Sequence, residues 1–349
     1  MHIGDREIGD GERCYFVAEI GLNHNGDVNI AKRLVDVAVK AGANAVKMQK
    51  RNIDSLLTKE WRDKPYTGNN SFGETYGEHR KNLELSDDDW CEMARYCKKT
   101  RITFLASGWD VASVTFIDKF VPAFKVASAD VTNLPLLEFI SCLGKPVIMS
   151  TGMSTLEEID EAVEIFDDFD LEYMLLHCVS AYPVDYKDVH LRNIHTLREM
   201  YNVPIGYSGH EKSGHVVTLG AVAMGANLIE RHITLDHTMK GPDHAASLEP
   251  GGLTSLISSI RNLESAMGSG RKIILPIEIP VREKLAKSIV STRNIKRGDV
   301  ISATDITVKS PGTGLKPKYI TNIIGRISEE NILEDTLIPI GALKWKWKK

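Results

Sequence analysis

Up to about residue 268 the chain repeats one alternation, in which short runs rich in Val, Ile and Phe are each followed by a longer stretch of helical period. The runs are CYFVAEI from Cys14, AVKMQ from Ala45, TFLAS from Thr103, AFKVAS from Ala123, PVIMS from Pro146, YMLLHC from Tyr173, PIGYS from Pro204 and LIERHI from Leu228. Strand-like and helical patterns in strict succession are the signature of βα units, which build a parallel sheet. Eight units over roughly 255 residues match the size of a (β/α)8 TIM barrel, whereas a doubly wound sheet has fewer strands and opens on a glycine-rich turn. The expected fold class is therefore α/β, a TIM barrel.

Helix starts fall between the runs. Ser154 and Glu157 have the spacing of a capping box, and Leu156, Ile159, Val163 and Ile165 supply an apolar stripe behind it. Ser86, followed by acidic residues, repeats the device. One connection breaks the rhythm: about 35 residues between Gln49 and Leu85 replace the usual βα loop of ~2 to 6. A loop of that length on the active face of a barrel is commonly functional.

Past Gly268 the pattern changes. SGRKIILPIEIPVREK has two prolines and no helical period, so residues 269–284 read as a linker between a barrel over 1–268 and a small β-rich domain over 285–349. With 42% hydrophobic residues in 349, the chain has enough apolar surface for a large core and a second, smaller one. Its 47 acidic and 43 basic residues are mixed along the length, which leaves no face marked for nucleic acid or anionic lipid, and the terminal KWKWKK is too short to change that. No run of 18 apolar residues and no signal sequence occurs, so a cytoplasmic, membrane-free protein is expected. Five scattered cysteines without a CxxC pair suit free, buried structural thiols.

In a barrel the chemistry sits where the strands end. Glu19 ends the first strand, Lys47 and Gln49 the second, Ser107 the third, Lys125 and Ser128 the fourth, and Ser150 and Thr151 the fifth. His177 and Ser180 belong to the sixth, Ser208 and His210 to the seventh, Glu230 and His232 to the eighth. Two lysines inside barrel strands are costly to bury unless they meet an anion, and with Ser128, Ser180 and Ser208 they describe a phosphate or carboxylate cradle. The alternative is that the lysines snorkel out or pair with structural carboxylates. His210 and His232 suit a divalent metal, completed by Glu19 or water, or else they are core histidines. Asp243, in GPDHAAS, is either a group of the mouth or a turn cap.

The segments EIGLNHNGD, AVKMQ, STGMST, IGYSGHE, ERHITLD and GPDHAASLEP, in this order, resemble the sialic acid synthases, and SIVSTRNIKRGDVI resembles their antifreeze-like (SAF) domain. The resemblance implies condensation of phosphoenolpyruvate with N-acetylmannosamine or a related N-acetylated amino sugar, in a domain-swapped homodimer that uses Mn²⁺ or Mg²⁺. It implies His210 and His232 as metal ligands, and Lys47, Lys125, Ser128, Ser180 and Ser208 around phosphoenolpyruvate. Glu19, Gln49, Asp130, Tyr182 and Asp243 would face the sugar, with Glu19, His210, His232 and Asp243 at the chemistry.

Two positions depart from the bacterial pattern. Ser310, after Lys309, stands where an arginine is common, and Asp130 where a glutamate is common. The loop PYTGNNSFGETYGEHRKNLEL resembles the animal-type synthase, which takes the 6-phosphate of the sugar, and Lys64, Arg80 and Lys81 are candidates to meet that phosphate. Three rivals remain: a legionaminate-type or pseudaminate-type synthase, a Schiff-base aldolase using Lys47 or Lys125, and a non-catalytic sugar-binding protein.

Overall fold

Eight parallel strands, each two-faced, close on themselves in the computed structural model, which describes residues 1–211 and 214–343. They are β1 (Tyr15–Gly21), β2 (Ala45–Lys50), β3 (Thr103–Gly108), β4 (Phe124–Val126), β5 (Val147–Ser150), β6 (Tyr173–Cys178), β7 (Ile205–Gly209) and β8 (Leu228–His232). Sequential strands are neighbours and β8 pairs with β1, so the sheet has no edge. All eight runs expected to be strands are strands, and the fold is a TIM barrel.

Side chains alternate across a strand, so each strand serves two cores. Inward, Tyr15, Val17, Ala45, Leu105, Ile148 and Met174 fill the lower barrel. Ile3 and Ile8 join that cluster from the N-terminal hairpin, His2–Ile3 paired with Arg6–Glu7, and plug the base. Outward, Phe16, Ile20, Val46, Met48, Phe104 and Ile229 meet the helices. Those helices are α1 (Val28–Ala41), α2 (Asp87–Thr100), α3 (Val111–Asp118), α4 (Leu134–Ser141), α5 (Leu156–Asp168), α6 (Asn193–Met200), α7 (Val216–Ala223) and α8 (Pro250–Met267).

The helix α2 starts on the expected Ser86, in a capping box with Asp89. Helix α5 starts one residue later than its expected box. Thr155 accepts from the Glu158 N–H while Glu158 returns to the Thr155 backbone, and this shift turns Ile159, Ala162, Val163 and Phe166 inward, leaving Leu156 exposed. Two overlapping motifs compete here, and burial of Phe166 goes with the second. The long insertion after β2 is not a plain loop, since it carries short helices at Ile53–Leu56, Lys59–Asp63 and Tyr76–Asn82. Its ends are tied by Arg51, whose N–H and guanidinium both donate to Glu84 at 3.2 Å.

The chain divides into two compact units, Met1–Gly268 and a second beginning at Ser269. In the second, β9 (Ser288–Ser291) pairs antiparallel with β10 (Ile306–Lys309) over a core of Ile289, Ile295, Ile301, Ile306, Leu315 and Ile332. The segment expected as irregular linker contains a helix at Ile279–Leu285, which Pro280 starts. Lys309 is paired with Asp335, and Ser310 accepts from Lys287 Nζ at 2.7 Å, so both are engaged within this unit. The basic KWKWKK tail lies outside the described residues. Of the five free cysteines, Cys142 is exposed and Cys91 half-buried, contrary to uniform burial.

Closure of the barrel leaves no room for a side chain at Gly206, where a Cβ would lie 2.4 Å from Leu176 Cδ2 and 2.6 Å from the Leu228 carbonyl oxygen. Gly206→Ala is expected to lower unfolding stability by about 1–3 kcal/mol, measured by urea denaturation, because a backbone atom has to move.

Candidate active site

Above the apolar layer the inward positions become polar. Glu19, Lys47, Lys125, Ser150, Ser208 and Glu230 form a charged layer, all of them buried. Lys47 Nζ lies 3.3 Å from Glu19 Oε2 and 3.2 Å from Glu230 Oε1. Burial works against the Lys47 ammonium, but these two carboxylates outweigh it and hold its pKa above the usual value. Lys125 is placed differently. It donates to Ser150 Oγ at 2.7 Å and to the Val126 carbonyl at 2.9 Å, with Glu230 only at 4.0 Å, and burial brings its pKa down to about 8. Burial alone would raise the Glu230 carboxylate, but Lys125 and Lys47 keep it low. Glu19 is pushed up by burial, with Glu230 adding to the push and Lys47 opposing it.

Two residues further along their strands stand the next groups. Gln49 Nε2 donates to Glu19 Oε1 at 2.6 Å, and Gln49 in turn accepts from Arg51. The imidazoles of His210 and His232 face each other with ring centroids 5.6 Å apart, and the Tyr182 ring lies 4.1 Å from His210. His210 Nδ1 is 2.9 Å from the Val179 carbonyl, a geometry that assigns the proton to Nδ1 and frees Nε2. His232 Nδ1 is buried with no hydrogen-bond partner, 4.0 Å from Asp243 Oδ2. Burial holds the His232 pKa down to about 4, so the ring is neutral at pH 7 and has one nitrogen lone pair to offer. An orphaned buried nitrogen on a neutral ring, beside a second imidazole oriented by a backbone carbonyl, fits a divalent metal, although, against the effect of burial, Cys178 and the Val179 carbonyl hold the His210 pKa above its usual value. No cluster of three or more His, Cys, Asp and Glu groups converges among the described residues, so a bound ion would take its other ligands from water or substrate.

These groups line one cavity of about 220 Å³ at the C-terminal mouth of the barrel. The structure brings together ten of the expected residues there, namely Glu19, Lys47, Gln49, Lys125, Ser128, Ser180, Tyr182, Ser208, His210 and His232. Asp243 stands beside His232 and its side chain caps no turn. Asp130 does not line the cavity. Its carboxylate turns to Asn133 Nδ2 at 3.0 Å, because Asp130 closes a single 3₁₀ turn rather than ending a strand. Lys81 pairs with Asp54 at 2.9 Å, Lys64 lies over the Trp61 ring, and Arg80 donates to Tyr76 Oη, so none of the three expected phosphate ligands reaches the cavity. His177 points outward to the Val189 carbonyl at 2.6 Å.

The sequence reading gave Glu230 no role and passed over Trp109 and Arg51, and it took Cys178 for a structural thiol. Cys178 lines the cavity with its Sγ 3.9 Å from His210 Nδ1. The period-two series Met174, Leu176, Cys178 was the signal that could have found it.

Buried lysines with two neighbouring histidines in one cavity at the C-terminal mouth have the position of an active site on a (β/α)8 scaffold. Residues 34–272 match the NeuB family and residues 286–344 the SAF domain, and the chain belongs to the NeuB family. It is 40% identical over 336 residues to the N-acetylneuraminate-9-phosphate synthase of Homo sapiens, covering 95% of this chain and 93% of that one. To the N,N'-diacetyllegionaminic acid synthase of Legionella pneumophila it is 37% identical over 342 residues, 96% of each chain. The N-acetylneuraminic acid synthetase of Leptospira borgpetersenii, solved with citrate, superposes with a TM-score of 0.71 at 34% identity, covering 80% of this chain and 94% of that one. The protein is thus a synthase of the sialic, legionaminic and pseudaminic acid group.

Lys125 is the cation of the cradle with its charge least secured. Sulfate affinity, measured by titration calorimetry, is expected to fall as pH rises through about 8, where Lys125 loses its proton, and to become independent of pH there in Lys125→Met.

Proposed function

We propose that the protein condenses phosphoenolpyruvate with an N-acetylmannosamine-type sugar and water, forming a nine-carbon 2-keto acid and phosphate. The observation that carries this is the pair of buried lysines, with Ser128 and Ser208, directly beneath two facing histidines in one cavity. Lys47 and Lys125 neutralise the phosphate and carboxylate of phosphoenolpyruvate, and the serine hydroxyls fix its orientation. A divalent ion, Mn²⁺ or Mg²⁺, held by His210 and His232 would polarise the aldehyde of the open-chain sugar as a Lewis acid. Carbon 3 of phosphoenolpyruvate bonds to the aldehyde carbon, water adds at carbon 2, and phosphate leaves with C–O cleavage. Glu19 takes the proton of that water; its raised pKa makes it a competent base, and Gln49 at 2.6 Å holds it in place.

A phosphorylated sugar is the acceptor favoured by the 40% identity to animal 9-phosphate synthases. Phosphate release from phosphoenolpyruvate with Mn²⁺ is expected with N-acetylmannosamine 6-phosphate and more weakly with N-acetylmannosamine. A preference for a 2,4-diacetamido sugar would reassign the acceptor to the legionaminic type. Silence with every sugar, or inactivation by borohydride with pyruvate, would remove the synthase mechanism altogether.

The active form is proposed to be a homodimer. Ile273, Leu275, Ile277, Ile279, Val281 and Leu285 are all exposed within one segment of the second unit, an apolar density that solvent-facing chain rarely sustains. Light scattering is expected to give twice the 38.8 kDa of the chain, and Ile277→Glu with Val281→Glu to give monomer; a wild-type monomer would refute the assembly.

A further inference from the structure

The strands that carry His210 and His232 have a second face. Alternation that turns Ser208, His210, Glu230 and His232 inward turns Glu211 and Arg231 outward, each adjacent in sequence to one of the histidines. There, with no exposure at all, the Arg231 guanidinium meets the Glu211 carboxylate. Arg231 Nη1 also donates to Thr218 Oγ1 at 2.8 Å, and Nη2 donates to the backbone carbonyl of Glu211 at 2.9 Å. Glu211 accepts further from Thr218 Oγ1 at 3.0 Å and from Tyr207 Oη at 2.9 Å. Space for this cluster is reserved by Gly209, where a Cβ would stand 2.6 Å from Glu211 Oε2 and 2.9 Å from Arg231 Cδ.

A buried ion pair is a poor device for stability, because desolvation of both charges offsets their attraction and an apolar pair of similar volume does as well. What it fixes well is geometry. This one bolts the exit of β7 to β8, with one bond to the backbone itself, directly behind the two imidazoles.

We propose that Glu211 and Arg231 are positioning residues, which set the separation and tilt of His210 and His232 from outside the barrel wall and thereby tune the affinity of the site for its divalent ion. The proposal rests on the reading of His210 and His232 as the metal pair. Neither residue touches substrate or ion, and the carbonyl that holds His210 Nδ1 belongs to Val179, on the exit of β6. The bolt therefore acts on strand position, while Val179 acts on ring orientation.

The test is a Mn²⁺ titration of the full-length protein, with free ion followed by its electron paramagnetic resonance signal. E211L/R231M removes both charges at similar volume and should keep the wild-type melting profile, while the dissociation constant for Mn²⁺ rises about tenfold to a hundredfold. Y207F/T218V keeps the ion pair and removes only the hydroxyl partners of the carboxylate and of Arg231 Nη1, so it should fold and weaken Mn²⁺ by a smaller factor. Wild-type Mn²⁺ affinity in a folded sample of either double variant overturns the proposal. H210A and H232A separate the two levels: if they bind Mn²⁺ as wild type does, the metal pair itself is misread, and this inference falls with it.

Discussion

Two ammonium groups and two carboxylates share the upper layer of the barrel, and their mutual neutralisation makes the site possible. Any one of them alone at that depth would face a desolvation cost that only a shifted pKa could relieve. Together Glu19, Lys47, Glu230 and Lys125 sum to zero, and their burial is tolerated because each carboxylate has a lysine within 4.0 Å. The balance is uneven. Lys47 is clasped by two acids and stays charged, whereas Lys125 leans on a hydroxyl and a carbonyl and sits nearer neutrality. An anion arriving in this layer completes the coordination of Lys125 more than it disturbs that of Lys47.

The parallel barrel gives this layer its precision through a constraint that is purely geometric. Period-two alternation assigns every second residue to the interior, so one strand places Ser208 in the charged layer and His210 above it, with Tyr207 and Gly209 facing away. Inner and outer faces of β7 and β8 consequently do different work on the same backbone. The lacing of the mouth follows a similar division of labour. Asn23 donates to the Ile233 carbonyl and to Ser247, and Asn25 to the Lys240 carbonyl, so the segment after β1 holds the loop that presents Asp243.

Strand identity and order were legible in the sequence because apolar runs of Val, Ile and Phe have few other places to go than a buried parallel sheet. The inward register was legible too, since Lys47, Lys125, Ser208 and His232 all fall on the parity of residues that belong inside. Three kinds of error have separate causes. Capping at Thr155 instead of Ser154 turned on packing of Phe166, which no local motif encodes. Asp130 falls off the inward parity set by Lys125, and a single 3₁₀ turn holds its carboxylate against Asn133. Lys64, Arg80 and Lys81 looked free in a polar loop, but short helices folded that loop back on itself and gave each cation a local partner. Arg51 was invisible for the opposite reason, because its bonds to Glu84 join residues that only the tertiary fold brings together.

The hairpin at the N-terminus gives the barrel a floor. Ile3 and Ile8 pack against the base, and the layer of Tyr15, Leu105, Ile148 and Met174 above them is buried and apolar, so the lysines lie toward the closed end of the cavity. Within that cavity the lysine layer lies below the histidines by two residues of strand, roughly 6–7 Å. In the reaction proposed above, the molecule at the lysines would lie beneath the molecule at the histidines, entering before it and leaving after it. The order of binding would then follow from depth in the barrel rather than from any moving part.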